Sequence, residues 1–354
     1  PYHKKGADVV FHFGTGYFGV RSEEGTFSME KMIKLVEDNP QIRAIELKLS
    51  QGAKPGKGGV LPASKITKEI AEIRHVPLGK DVLSPPTHSA FSNVAEMVDF
   101  IEEIAAATGL PVGIKSAVGQ LKQWEELASI MKETNRGPDF ITVDGGEGGT
   151  GAAPPSFADH VSLPFINAFT DLYNVFREKG ITERIVFIAS GKLGFPAKAV
   201  MAFAMGADSI NVAREAMISI GCIQAQSCHN NTCPTGITTH NKWLQAGINV
   251  EDKAKRVDSY FTKFKKELLE ITHACGYEHP SQFTMDDVDI NLSDKNITKT
   301  LAATFAYEKV KVPFTSVQEH MDCPYLGGNF SERKNKEVKT KEAETKETSV
   351  YNND

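Results

Sequence analysis

Residues 139–151, DFITVDGGEGGTG, contain the unit whose repetition decides the fold: a short run of apolar and β-branched residues, then a loop dense in glycine. Five residues including Ile, Thr and Val read as a strand, and the glycines that follow end it. The same unit recurs on both sides. Upstream lie 8–13 (DVVFHF), 42–49 (IRAIELKL) and 111–115 (PVGIK); downstream lie 184–189 (RIVFIA) and 208–212 (DSINV). Apolar positions at helical spacing fill the intervals, over 28–38, 64–75, 93–108, 120–133, 163–179, 196–205 and 213–227. Strand–helix alternation with runs apolar on both faces predicts a parallel sheet covered by helices, either doubly wound or a (β/α)8 TIM barrel. Six strands are two short of a barrel, and the chain begins at Pro1 rather than Met. The expectation is an α/β barrel over 1–285 that lacks its first two strands.

Beyond residue 240 the pattern changes. A charged helix is expected over 251–275, with Tyr260, Phe261 and Phe264 as its apolar positions, opening a C-terminal helical extension that continues over 286–330. Residues 331–354 are almost wholly polar and charged, a composition that cannot bury enough surface to offset chain entropy, so they read as a disordered tail. The 354 residues carry a net charge of −5, their basic residues are scattered, and no 18-residue apolar run is free of charges. Nucleic-acid binding and a membrane span are therefore not expected, and a cytoplasmic protein is the default.

Three of the five cysteines fall within 221–236, GCIQAQSCHNNTCPTG. In a chain without secretory features, such a cluster reads as a metal or iron-sulfur ligand set rather than as disulfides. Cys222 and Cys228 would lie about 240° apart on an ideal helix. The helix entering this segment must therefore break, and Asn230, Asn231, Pro234 and Gly236 supply the break. Cys222, Cys228 and Cys233 suit an iron-sulfur cluster with three protein ligands, or a four-ligand site completed by His229. A ligand-free group of reduced thiols is the plainer alternative.

The remaining informative loops each follow a strand, where barrels place their active sites. SQGAKPGKGGVLP (50–62) offers Gln51, Lys54 and backbone amides to an anion, unless it is only a surface loop. Arg74 on the next helix presents a planar fork for a carboxylate and Lys54 a point charge, a pair suited to a dicarboxylate. Lys115 ends an apolar strand, where a charge needs an anionic or electron-rich neighbour; an ion pair at the rim is the structural alternative. In DGGEGGTG (144–151), Gly145, Gly146, Gly148, Gly149 and Thr150 let backbone N–H groups approach a phosphate or a flat ring. Gly191 and Gly194 in SGKLGFP, with Ala213 and Arg214, stand after the last two strands, a recurrent phosphate position in barrels. Gly14, Gly16 and Gly19 match a dinucleotide fingerprint in spelling only, because the helix expected next opens at Ser28 rather than at the glycines.

These motifs together give the chain a family resemblance. QGAKPGKGGVLP, LSPPTHSAFSN (83–93), VGIKS, DGGEGGTGAAP and GCIQAQSCHNNTCPTG occur in an order and spacing that resembles the FMN-binding synthase domain of glutamate synthases, in particular the stand-alone family, over residues 7–285. The resemblance implies a (β/α)8 barrel with FMN at its C-terminal mouth and a 3Fe-4S cluster on Cys222, Cys228 and Cys233. It implies that Gln51, Lys54 and Arg74 surround 2-oxoglutarate, with Lys54 and Lys115 catalytic and Lys115 near the flavin ring. Gly145, Gly146, Gly148, Gly149, Thr150, Gly191, Ala213 and Arg214 would face FMN. The implied activity is reductive amination of 2-oxoglutarate to glutamate, using ammonia or another amine. The partners would be an electron donor, either ferredoxin or an NAD(P)H-oxidising subunit, and an amidotransferase. An N-substituted glutamate synthase, another FMN oxidoreductase on this barrel, or a non-catalytic iron-sulfur electron-transfer subunit are the alternatives. The chain departs from the family pattern at Ser190-Gly191-Lys192, where an acidic–glycine pair is usual, and at Ala213, near which many members have threonine. It has no counterpart of the family's first two strands or of its N-terminal amidotransferase domain.

Overall fold

The computed structural model describes residues 6–148, 151–291 and 297–310. The repeating unit appears as Val9–Phe13 (β1), Met29–Asp38 (α1) and Ile42–Lys48 (β2). Val60–Leu61 (β3), Lys68–Arg74 (α2) and Val82–Leu83 (β4) form an excursion, in which β3 and β4 pair antiparallel. The main pattern resumes with Val94–Thr108 (α3), Val112–Ser116 (β5), Lys122–Thr134 (α4), Phe140–Asp144 (β6), Phe165–Lys179 (α5), Val186–Ser190 (β7), Pro196–Ala204 (α6), Ser209–Asn211 (β8) and Arg214–Ser219 (α7). Local chemistry sets the helix ends. Ser28 and Asn93 accept the N–H groups of Lys31 and Glu96 at the starts of α1 and α3, and Gly109 closes α3 at φ 68°.

The strand order is β1-β2-β5-β6-β7-β8, parallel throughout. The order never reverses, so the sheet has no switch point of the doubly wound kind. It curls into an arc with the connectivity of six consecutive strands of a (β/α)8 barrel. Its convex side is apolar, as expected. Phe13, Ile45, Leu47, Val112, Ile114, Ile141, Val143, Phe187 and Ala189 share one buried core with Ile101, Ile104, Phe169 and Leu172 of the helices. The concave side departs from the expectation that both faces are apolar. Register places His12 beside Glu46, Lys48 beside Lys115, Lys115 beside Thr142 and Asp144 beside Ser190, so polar and charged residues alternate with the core positions.

Past the sheet follow Lys242–Gln245 (α8), Val250–Ala274 (α9), Asp289–Asn291 (β9), Thr298–Thr300 (β10) and Leu301–Phe305 (α10). Helix α9 packs on α6 and α7, burying Phe264 and Leu268, while Tyr260 Oη donates to the Gly194 carbonyl at 2.7 Å. The extension is not helical throughout, because β9 and β10 pair antiparallel. The tail expected over 331–354 lies outside the described residues. No helix among the described residues is long and apolar enough to cross a membrane.

Candidate functional site

The C-terminal ends of β2, β5, β6 and β7 gather most of the chemistry-bearing side chains. Strand β2 carries Glu46 and Lys48 two residues apart, hence on the same, concave face. Glu46 is buried between strands. His12 Nδ1 lies 2.5 Å from its Oε2, and Thr142 Oγ1 donates to its Oε1 at 2.6 Å. Burial pushes the Glu46 carboxyl up, but the bonds from His12 and Thr142 outweigh it and hold the group below the usual carboxylate range.

Two residues further along β2 stands Lys48, with Lys115 beside it on β5. Lys48 Nζ donates to Gln51 Oε1 at 2.8 Å, and Lys115 Nζ lies 3.6 Å from Asp144 Oδ1. Burial, followed by the neighbouring Lys54 and Lys115 cations, pushes the Lys48 amine down to about 8. Lys54 is lowered too, by burial and by Lys57. Asp144 and Glu46 are the nearby anions, and the Asp144 oxygens are already engaged: Oδ2 accepts from Gly52 N at 2.8 Å and Oδ1 from Ser190 Oγ at 2.7 Å. The mouth therefore holds more positive than negative charge, an arrangement that suits an anionic ligand.

Close backbone contact locks the loop after β2 to the loop after β6. A Cβ on Gly52 would fall 1.9 Å from the Gly145 carbonyl oxygen, so only glycine fits there. Ser162 Oγ donates to the Gly52 carbonyl at 2.6 Å, and Glu147 Oε2 accepts the N–H of Phe165 at the start of α5. Arg214 reaches across to the same loop, its Nη2 donating to the carbonyls of Glu147 and Gly148 at 3.3 and 3.2 Å. Gly191 packs against Phe165 and Glu147. Gly145, Gly146, Gly148, Gly191 and Arg214 thus meet, with Ala213 as the residue preceding α7. Gly149 and Thr150 lie outside the described residues. No helix opens at Gly14, Gly16 and Gly19; α1 begins only after Ser28.

The substrate-side expectations divide. Gln51 and Lys54 stand beside Lys48. Arg74, the last residue of α2, has its guanidinium over the Phe18 ring, 5.3 Å from the centroid. Lys57 lies over Phe157 at 5.4 Å.

Cys222, Cys228 and Cys233 are free thiols on one loop. Burial raises the Cys233 thiol, but hydrogen bonds from Thr235 and Thr238 outweigh it and bring the group down to about 6. Cys228 faces the glycine loop: a Cβ on Gly151 would lie 2.6 Å from its Sγ. Among the described residues, no three His, Cys, Asp or Glu side chains are grouped so as to hold a metal ion. The donor chemistry suits iron, but the three sulfurs share a loop without forming a ligand group.

The sequence motifs assign no site role to Lys48, His12, Asp144 or Ser190, and Glu46 stands out in them only as the acid that a dinucleotide fingerprint would use. Glu46 and Lys48, two charges on alternate positions of an apolar strand, were the available signal. His88 was also passed over. Buried, it donates from Nε2 to the Lys48 carbonyl at 2.8 Å, and its Nδ1 lies 3.2 Å from Tyr17 Oη, which accepts from Ser89 N and Ala90 N. Burial holds the imidazole pKa below its usual value, and the neutral ring fixes the end of β2 beneath the lysines.

Known proteins match over most of this chain. The family model described as the conserved region in glutamate synthase matches residues 2–278. The glutamate synthase large subunit-like protein YerD of Bacillus subtilis is 42% identical over 297 residues, covering 84% of this chain and 56% of YerD. The archaeal-type glutamate synthase (NADPH) of Thermotoga maritima is 33% identical over 275 residues, covering 75% of this chain and 53% of that protein. Among solved structures, a flavocytochrome b2 mutant with pyruvate bound covers 87% of this chain and 62% of its own at 12% identity and a TM-score of 0.44, a likeness too loose to argue from. The chain spans about half the length of the curated relatives it matches. By the extent of the family match and by its identity to these relatives, the chain belongs to the glutamate synthase family.

Proposed function

We propose that the mouth binds 2-oxoglutarate beside FMN and supports its reductive amination to glutamate. The observation that carries the reading is the crowding of Lys48, Lys54 and Lys115, with the Lys48 amine held down to about 8 by burial and by its neighbours. Buried like charges are unfavourable unless a ligand of opposite charge relieves them, and a dicarboxylate does so. Family membership and the relatives named glutamate synthase support the same reaction class.

In this reading Lys54 and Lys48 take one carboxylate, and Arg74 takes the other with its planar fork only by leaving the Phe18 ring over which its guanidinium stands. The C2 carbonyl condenses with ammonia to an imine with loss of water, and gain of a hydride and a proton gives glutamate. FMN, when bound, supplies the hydride. Lys48, with a pKa near working pH, is the group suited to hold or release a proton as water leaves. Lys115, kept in place by Asp144, presents positive charge at the tip of β5 where the flavin ring would lie. The glycine loop, with Gly191, Ala213 and Arg214, is the proposed cofactor-facing wall. Cys222, Cys228 and Cys233 are the proposed ligands of a 3Fe-4S cluster, which requires the cysteine loop to draw its sulfurs together. The name of the Thermotoga relative points to NADPH as the source of electrons, and that of a relative from Pyropia yezoensis to ferredoxin.

The test is an assay of the full-length protein with a reduced donor, 2-oxoglutarate and either ammonia or methylamine, alongside its flavin and iron content. Glutamate from ammonia, with flavin bound, is the expected result. Consumption of neither amine overturns the proposal. Lys54→Ala is expected to raise the KM for 2-oxoglutarate at least tenfold with flavin retained; equal losses of both would remove Lys54 from the substrate site.

A further inference from the structure

His12 and Glu46 pair across β1 and β2 on the concave face of the sheet, in register with each other. The carboxylate is held at both oxygens. Its Oε2 lies 2.5 Å from His12 Nδ1, and its Oε1 accepts from Thr142 Oγ1 of β6 at 2.6 Å. Glu46 is buried, whereas the His12 side chain is 40% exposed, so part of the ring is left for a ligand to meet. With Nδ1 turned to the carboxylate, Nε2 is the nitrogen that faces away from it. A carboxylate that accepts Nδ1–H fixes the neutral ring in one tautomer, with its lone pair on Nε2, and it stabilises the imidazolium once Nε2 has taken a proton. The other charges near Glu46 are the cations of Lys115 on β5 and of Lys48, two residues along β2. Lys48, held to about 8, keeps most of its protons near neutral pH, so it is a donor there and His12 Nε2 an acceptor.

We propose that His12 is the base that turns ammonium into the ammonia that attacks, and that Glu46 is the positioning residue that sets its ring. The first half rests on the reductive-amination reading; the second does not. Ammonium has no lone pair for a carbonyl and must first lose a proton, which His12 Nε2 takes. The freed ammonia forms the C–N bond at C2, and a proton moves from its nitrogen to the former carbonyl oxygen. Lys48 gives a proton to that hydroxyl as the C–O bond breaks, leaving water and the protonated imine. His12 then passes its proton to solvent and Lys48 regains one, so the charges balance.

The experiment uses the full-length protein as wild type, His12→Gln, Glu46→Leu and Glu46→Gln. With reduced donor, 2-oxoglutarate and ammonium chloride, His12→Gln is expected to lose at least tenfold in kcat/KM for the amine at about pH 7. It should return to within about threefold of wild type at about pH 10, where ammonia is already free. A loss that persists at the higher pH marks a structural defect and overturns the base role, as does no loss at the lower one. The ring itself is read by nitrogen NMR of histidine-labelled protein, with the His12 signals assigned from His12→Gln. Wild type is expected in the Nδ1–H form. Glu46→Leu should shift the ratio at least tenfold toward the Nε2–H form, and Glu46→Gln, whose carbonyl still accepts, should stay near wild type. An Nε2–H ring in wild type, or an unchanged ring in Glu46→Leu, overturns the positioning. If wild type consumes no amine, the reductive-amination reading fails and takes the base role with it, while the NMR result still decides whether Glu46 sets the ring.

Discussion

The convex face of the sheet presents Ile45, Leu47, Ile114, Ile141 and Val143 to the helices, while the concave face of the same strands presents Glu46, Lys48, Lys115, Thr142 and Asp144. Each strand therefore works twice. Its odd or even residues fill a close-packed core, where volume decides stability. Its other residues sit in hydrogen-bonded pairs and crowded charges, where ligand affinity decides identity. The contrast predicts that truncation on the convex face damages folding and spares binding, and that neutralising a charge on the concave face does the reverse.

The largest effect on stability is expected from Ile114→Ala. Ile114 is fully buried, and its loss should cost about 2–5 kcal/mol by chemical denaturation while leaving the affinity of the folded protein for 2-oxoglutarate unchanged. Next comes Ser190→Ala, which removes a hydrogen bond to the buried Asp144 carboxylate and should cost about 1.5–3 kcal/mol. That result would mark Asp144 as a structural as well as a chemical residue, and blur the division between the faces; a loss below about 0.5 kcal/mol would sharpen it.

His88 gives a smaller, pH-dependent effect. Its folded-state pKa lies below the ordinary value of 6.5, so between those two values the unfolded chain binds the proton and the folded one does not. Stability should therefore fall as pH drops below about 6.5, by at most about 1.4 kcal/mol per pH unit for this one group. His88→Gln should flatten that slope, and an unaltered slope would assign it to other groups.

The smallest effect on stability, with the largest on binding, is expected from Lys48→Met. Removing one of three crowded cations should leave stability unchanged or raise it by about 1 kcal/mol, yet weaken 2-oxoglutarate binding at least tenfold. In the wild type Lys48 is depressed to about 8, so between about pH 8 and 10 the unfolded chain holds its proton and the folded chain has lost it, and this group makes stability rise with pH. The variant should lack that rise. A bound dicarboxylate would stabilise the ammonium, so binding near pH 8.5 should take up a proton, visible as a buffer-dependent heat in calorimetry. Absence of proton uptake would separate Lys48 from the anion.

Much of the fold was readable because it rests on period and punctuation. All six main strands and most of the helices lie within a residue or two of the expected bounds, since apolar runs ended by glycine leave little choice. The helix expected over 213–227 ends at Ser219, where the chain turns toward the cysteines earlier than its apolar spacing implied. The short β3–β4 and β9–β10 pairs went unread, because two- and three-residue strands carry no period. Within the site, Gln51, Lys54, Lys115 and the glycine loops stood out by unusual local composition. Glu46 and Lys48 did not, since a strand buried on both faces was assumed to be uniformly apolar. His12 and Ser190 matter through cross-strand register, which one strand's sequence does not contain. Cys222, Cys228 and Cys233 could be read as a group, but their spacing along the chain does not say where their sulfurs point.

Gly52 and Gly145 stand backbone to backbone, with Asp144 and Ser162 clasping the same point. Any attempt to graft the proposed binding mouth onto another scaffold must transplant the two segments as a matched set. Diversification of either one alone is confined to residues that leave that crossing intact, so ligand preference in this molecule has more freedom to drift at Lys57 and beyond than at the crossing itself.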